Sequence, residues 1–220
     1  VQAHMRDFAA YLAGHGVRHE VATPFYWATA PLLLAFIALR KLLEKTWPPA
    51  AVALYRSGHS ALLSIRLRYL LWRHPDCVVY AQCPLSANVA LRCRRHPTQR
   101  VALVVHFNVS QADEWIGKSM LTPGGWLDNH IRQLERGVVR RVHGIVCVSA
   151  FMQQEVAKVW PGLSAANVAI IPNFVRSLAT AQPLPGMAGR DLVCVGTLEP
   201  RKNQTFLFEV LAEARKRGRV

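Results

Sequence analysis

The sequence predicts an α/β fold with a parallel sheet. Two observations predict it. Short, continuous apolar runs of strand length recur along the chain, and stretches with helical spacing separate them. Such uninterrupted apolar runs suit parallel strands covered on both faces. A third observation concerns the residues at the end of each run. His106 follows Val101–Val105, Ser149 closes Gly144–Ser149, Pro172-Asn173 follows Val168–Ile171, and Gly196 follows Leu192–Val195. Ligands of parallel sheets bind at the carboxyl ends of the strands. That rule selects 106–110, Ser149, Asn173 and 196–202 as candidate site positions.

Along the chain, residues 4–14 have helical spacing, with Met5, Phe8, Ala9 and Leu12 on one face, and Gly14 and Gly16 end that helix. Residues 19–23 read as a short strand. Residues 31–45 read as a helix closed by Trp47-Pro48-Pro49, and a Leu- and Arg-rich helix covers about 58–73. Asp76 precedes a strand at 77–81, and a helix covers 85–95. After the strand at 101–105, residues 113–118 read as a loop, and a long helix fits 124–141. A helix at 150–159 follows the strand at 144–149. Residues 176–190, with two Pro and two Gly, read as a linker, and a last helix runs from about Asn203 to Arg217.

Composition narrows the function classes. The 220 residues are 51% hydrophobic and 18% charged, the composition of a globular chain rather than a disordered one. Lys and Arg number 27 against 13 acidic residues, a formal net charge of +14. This excess suits an anionic partner such as a membrane surface, a phosphate-rich ligand or nucleic acid. No RNA-recognition signature, zinc-finger spacing or helix-turn-helix accompanies it, so nucleic acid is not the expected partner. The five cysteines are odd in number and form no C-x-x-C, which points to a reducing, cytoplasmic compartment.

The run Val21–Leu39 carries no charge. Pro24 and Pro31 interrupt it, and the apolar part after Pro31 is far short of the ~20 residues a membrane span needs. A buried helix is the expectation there. The alternative is a helix lying in a membrane interface, because Arg40, Lys41 and Lys45 follow the run.

The unit DLVCVGTLEPRKNQTFLFEVL carries the most chemistry. Gly196 lets the backbone turn closely after a strand. Arg201 and Lys202 precede a helix N-terminus, which itself favours anions, and together these features suit a diphosphate. The bland alternative is a βα turn with solvated charges. Ser149 lacks a G-x-S-x-G or a neighbouring His–Asp pattern, so it reads as a cleft-lining or helix-capping hydroxyl rather than a nucleophile. Asn173 reads as a turn residue beside the site. No D-x-D occurs, so no phosphate-bridging metal and no cofactor are expected.

These segments resemble glycosyltransferase family 4. DLVCVGTLEPRKN resembles the strand and G-x-L-x-x-x-K segment that opens the family's donor lobe. CVSAFMQQEV resembles its strand ending in Ser, and VAIIPNFV its strand ending in Pro-Asn before the interlobe linker. VQAHMRDFAAYLAGHGVRHEV resembles the helix and Gly-His-x-Val segment after its first glycine loop, with an insertion between Gly16 and His19. Two positions depart from the family pattern. Thr197 stands where Arg often follows the donor-lobe Gly, and Phe174 where Gly usually follows Pro-Asn.

The resemblance implies a GT-B fold, with Rossmann-like parallel sheets flanked by helices. Residues 1–175 would form the acceptor-side lobe, 176–190 the linker, and 191–220 the first βα unit of the donor-side lobe. The family's first strand would precede Val1 and its E-x7-E segment would lie beyond Val220, so the fold is expected to be cut at both ends. The implied activity is retaining transfer of a sugar from a nucleotide-sugar to an acceptor hydroxyl, in cell-surface glycan or glycolipid synthesis. The acceptor would be lipid-linked or a glycan, and the enzyme cytoplasmic, peripheral on the inner face of the membrane. His106 would be a substrate-orienting or acid/base group. Gly196, Arg201 and Lys202 would bind the donor diphosphate, Ser149 and Asn173 would line the cleft, and Asp113, Glu114 and Lys118 would face the acceptor. Two alternatives stay open: a non-catalytic basic module on anionic membrane or nucleic acid, and a nucleotide-sugar epimerase of GT-B fold.

Overall fold

The computed structural model describes residues 2–24, 30–106, 110–163, 167–173, 194, 196 and 203–219. The chain divides into two compact units, Val1–Arg176 and Ser177–Val220.

The first unit holds eleven described elements in the order α1 (Gln2–Gly14), α2 (Ala30–Thr46), α3 (Pro48–Arg73), β1 (Val78–Ala81), α4 (Pro84–Cys93), β2 (Arg100–Val105), α5 (Gln111–Gly117), α6 (Trp126–Val139), β3 (Gly144–Cys147), α7 (Ala150–Val159) and β4 (Val168–Ile170). The four strands form one parallel sheet in the order β1-β2-β3-β4, with Val79 opposite Val101, Leu103 opposite Ile145 and Cys147 opposite Ile170. The fold is the predicted Rossmann-like α/β sheet flanked by helices.

The core follows from strand alternation. Val79, Ala81, Val101, Leu103, Val105, Ile145 and Cys147 share one cluster with Leu63, Leu67 and Leu71 of α3, Val89 and Ala90 of α4, Val138 of α6, and Met152 and Val156 of α7. Leu103 is fully buried and Ile145 nearly so, and each such side chain contributes about 1.5–3 kcal/mol. Successive strand residues point to opposite faces, so Tyr80 belongs to the other face. There its ring meets Phe8 of α1, 4.9 Å between centroids. A second, smaller cluster joins Val52 of α3, Ala112 of α5, Leu121, and Leu127 and Ile131 of α6.

Four expectations need correction. Residues 19–23 form no strand; the segment is held by side chains instead, with Glu20 accepting from Arg66 and bonded to His74, both at 3.2 Å. α3 starts at Pro48, not near residue 58. Pro48 and Pro49 occupy the first helical positions, where no N–H is needed, so the prolines that end α2 also begin α3. Residues 113–117, read as loop, belong to α5, whose N-cap Ser110 accepts a bond from Ala112 N.

The fourth correction concerns α2, which is not buried. Leu34 is 71% exposed and Leu42 60%, and Ile37 and Leu39 are exposed as well. Contact with α3 comes from Phe36, against Gly58, and from Arg40, whose guanidinium lies 4.7 Å from the centre of the Tyr55 ring. No helix among the described residues is long and apolar enough to cross a membrane.

The second unit contributes one described helix, α8 (Gln204–Lys216), entered through Asn203 in a left-handed conformation.

Candidate active site

The carboxyl edge of the sheet gathers polar residues from successive crossovers. Gln82 follows β1 directly and His106 follows β2 directly. The parallel pairing of β1 with β2 sets them side by side. His106 is buried, and its Nε2 lies 2.6 Å from Gln82 Oε1. An amide oxygen can only accept, so His106 Nε2 carries the proton in this pair. That bond fixes the tautomer and ring direction of this strand-end histidine.

Beside this pair, α3 supplies Arg56 and His59, three residues apart and therefore on one helix face. Arg56 is buried and its Nη1 donates to Gln111 Oε1 at 2.9 Å. His59 Nε2 lies 3.4 Å from Ser86 Oγ in the first turn of α4. Cys83 caps that turn, its sulfur accepting from Ser86 N. Burial, reinforced by Arg56, holds the His59 imidazole below its ordinary pKa and favours its neutral form. Arg56 is pulled down by burial and supported by the nearby Glu135 carboxylate.

Glu135 of α6 is almost fully buried and accepts the Gln111 backbone N–H at 2.7 Å. Burial raises its pKa, and bonds from Ser110 and from the Gln111 backbone act the other way. Glu135 thus ties the start of α5 to α6 and fixes the N-terminal end of α5. Sequence reasoning missed Gln82, Arg56, His59 and Glu135. Two signals could have found most of them: the carboxyl-edge rule applied to β1, which gives Gln82, and the Arg56–His59 helical spacing.

The structure places the other predicted positions separately. Ser149 caps α7, its Oγ accepting from Met152 N at 3.1 Å, at the carboxyl end of β3. Asn173 is exposed beyond β4. Asp113 and Glu114 lie on α5. Asp113 pairs with Arg132 at 2.5 Å, and Glu114 pairs with Lys118 at 2.6 Å. The structure thus brings His106 together with Gln82, whereas Asp113, Glu114 and Lys118 engage other surface partners. Gly196 is an exposed bend of the second unit, and Arg201 and Lys202 lie outside the described residues. His15 and His19 stand four apart, but α1 ends before either, and each ring bonds a local carbonyl, of Tyr11 and of Val17.

No curated protein and no solved structure matches the chain. A family model does: that of Glycosyltransferase Family 4 matches residues 1–177, the whole stretch that builds the parallel sheet and its carboxyl edge. With most of its length matched by that model, the chain belongs to Glycosyltransferase Family 4.

Proposed function

We propose that this glycosyltransferase moves a sugar from a nucleotide-sugar to an acceptor hydroxyl with retention of configuration, in cell-surface glycan or glycolipid synthesis. The bond from the sugar's anomeric carbon to the diphosphate breaks, and a glycosidic bond forms to the acceptor oxygen. The acceptor hydroxyl loses a proton and the nucleoside diphosphate leaves as an anion. The observation that carries this reading is the buried His106 at the end of β2, oriented by Gln82 at the edge where parallel sheets bind ligands. In this reading His106 orients the sugar or handles the acceptor proton. Arg201 and Lys202 neutralise the departing diphosphate, and Gly196 lets the backbone approach it. Ser149 and Asn173 line the cleft.

The exposed apolar face of α2 supports a peripheral position on an anionic membrane. Leu34, Ile37, Leu39 and Leu42 are exposed on the same helix as Lys41 and Lys45, so apolar surface and positive charge are both available to an anionic membrane. A lipid-linked acceptor fits that placement.

The experiment is sugar transfer by the full-length protein across a panel of nucleotide-sugars, with lipid-linked and glycan acceptors. Transfer from at least one pair, with the anomeric configuration kept, supports the reading. Absence of transfer across the panel overturns it. Release of free nucleotide with sugar interconversion and no acceptor would replace it with an epimerase.

A further inference from the structure

Four buried side-chain polar atoms among the described residues lack a hydrogen-bond partner: Arg56 Nη2, His59 Nδ1, Gln82 Nε2 and Arg94 Nε. Three of the four fall at one place. Arg56 and His59 share a face of α3, and His59 reaches Ser86 in the first turn of α4. Gln82 immediately precedes Cys83, the cap of that turn, whose Ser86 hydroxyl lies 3.4 Å from His59 Nε2. The unfilled positions on Arg56 and Gln82 are N–H donors. His59 Nδ1 is the third unfilled position, and it is a donor in the tautomer whose Nε2 accepts from the Ser86 hydroxyl.

Unfilled donors in a protein interior are costly, and those of a buried guanidinium are the costliest of the three. Arg56 Nη1 spends its bond on a neutral amide, Gln111 Oε1, and not on a carboxylate. Two N–H donors, on Gln82 and on a guanidinium whose charge Glu135 only partly offsets, therefore stand without an acceptor at the carboxyl edge, with His59 Nδ1 as a third unfilled position. An apolar ligand would leave these donors unpaired. An oxyanion fits them, since a guanidinium binds carboxylate and phosphate oxygens in a fork of parallel bonds. The N-terminus of α4 adds a favourable dipole to the same place.

We infer that Arg56, His59 and Gln82 form an oxyanion seat that holds a phosphate or carboxylate group of the acceptor. The assignment of that group to the acceptor rests on the transferase reading; the seat itself does not.

The test measures binding to the whole chain by calorimetry, without any sugar donor. Inorganic phosphate, dimethyl phosphate and acetate serve as probes at constant ionic strength. Saturable binding of at least one probe is expected. Preference for phosphate marks a phosphomonoester, for dimethyl phosphate a phosphodiester, and for acetate a carboxylate. Arg56→Met should weaken binding at least about tenfold, the loss expected for one charge-assisted hydrogen bond. Arg56→Lys should fall between, because it keeps the charge and loses the fork. Arg92→Ala, an exposed cation on α4, should bind like the unaltered chain. Far-UV circular dichroism checks that each variant folds. Should Arg56→Met not fold, His59→Phe decides alone, with weaker binding expected. No saturable binding by the unaltered chain overturns the seat, as does unchanged affinity in Arg56→Met or His59→Phe. Binding intact but no transfer by the full-length protein would sink the transferase reading and leave the seat. Transfer intact without anion binding would do the reverse.

Discussion

Replacing Gln99 by Leu should destabilise the first unit more than most single changes. Gln99 is fully buried just ahead of β2. Its Nε2 donates to Leu71 O at 2.5 Å and to His74 O at 3.0 Å, both at the end of α3. Its Oε1 accepts from Arg95 N at 2.8 Å and His96 N at 3.3 Å, in the turn after α4. One amide thus fastens α3, α4 and the start of the strand that carries His106. Leucine has similar volume and makes none of these bonds. The bond to Leu71 O is buried, so water cannot replace it, whereas the other three groups are partly exposed and can rehydrate in part. An orphaned buried carbonyl costs about 1–3 kcal/mol and each rehydrated bond about 0.5–1.5 kcal/mol. Burying leucine's apolar surface offsets about 1.5–3 kcal/mol. The net loss is about 1–4.5 kcal/mol, a large share of the 5–15 kcal/mol typical of a folded protein. Urea titration followed by two probes should show the midpoint falling by about 0.5–2 M with the slope unchanged. Gln99→Glu keeps the acceptors, loses the donors and buries a charge. It should be at least as damaging at neutral pH and recover as acid protonates the carboxylate. A Gln99→Leu shift within about 0.5 kcal/mol, the size of an ordinary surface change, would refute the reasoning.

Three further outcomes rest on the same geometry. Ser149→Ala should cost about 1 kcal/mol through loss of the α7 cap, and Ser149→Gly only a few tenths, both read by urea titration. Glu135 has a folded pKa raised by burial, so the folded state holds its proton more tightly than the unfolded chain. Its favourable effect is then complete below the unfolded value of about 4.3 and is lost as pH rises through the folded value. Glu135→Gln should flatten that decline in a stability–pH series, and an unchanged slope would contradict the burial argument. Leu34→Asp with Leu42→Asp should lower binding to phosphatidylserine-containing vesicles in a flotation assay without lowering the melting temperature, because both leucines are exposed. Equal binding would remove α2 from the membrane contact.

The sheet was legible because its strands are uninterrupted apolar runs. Val101–Val105 and Gly144–Cys147 are largely buried along their length, and such short segments suit covered parallel strands. His106 and Ser149 were legible for a related reason: each is the first polar residue after such a run. The misread elements were decided by contacts distant in sequence. Glu20 bonds Arg66 and His74 across 46 and 54 residues, so the stretch around it needs no strand partner. The apolar character of α2 suggested burial, yet hydropathy records what a helix can bury and not what is beside it. Arg56 looked like one of many scattered cations. Only the fold brings it to Gln111, 55 residues away, and leaves one of its nitrogens unfilled. The prolines at 48 and 49 carried a valid signal that was attached to the wrong helix, since Pro ends one helix and opens another with equal ease.

The central claim is that a family 4 glycosyltransferase uses His106, held by Gln82, at the reacting centre. The most direct measurement is steady-state transfer by the unaltered protein and by His106→Ala, with kcat and the donor KM resolved separately. In His106→Ala, kcat should fall about 100-fold or more, the scale of a lost acid/base or orienting group, with the donor KM little changed. An unchanged kcat in a folded His106→Ala variant would contradict the claim.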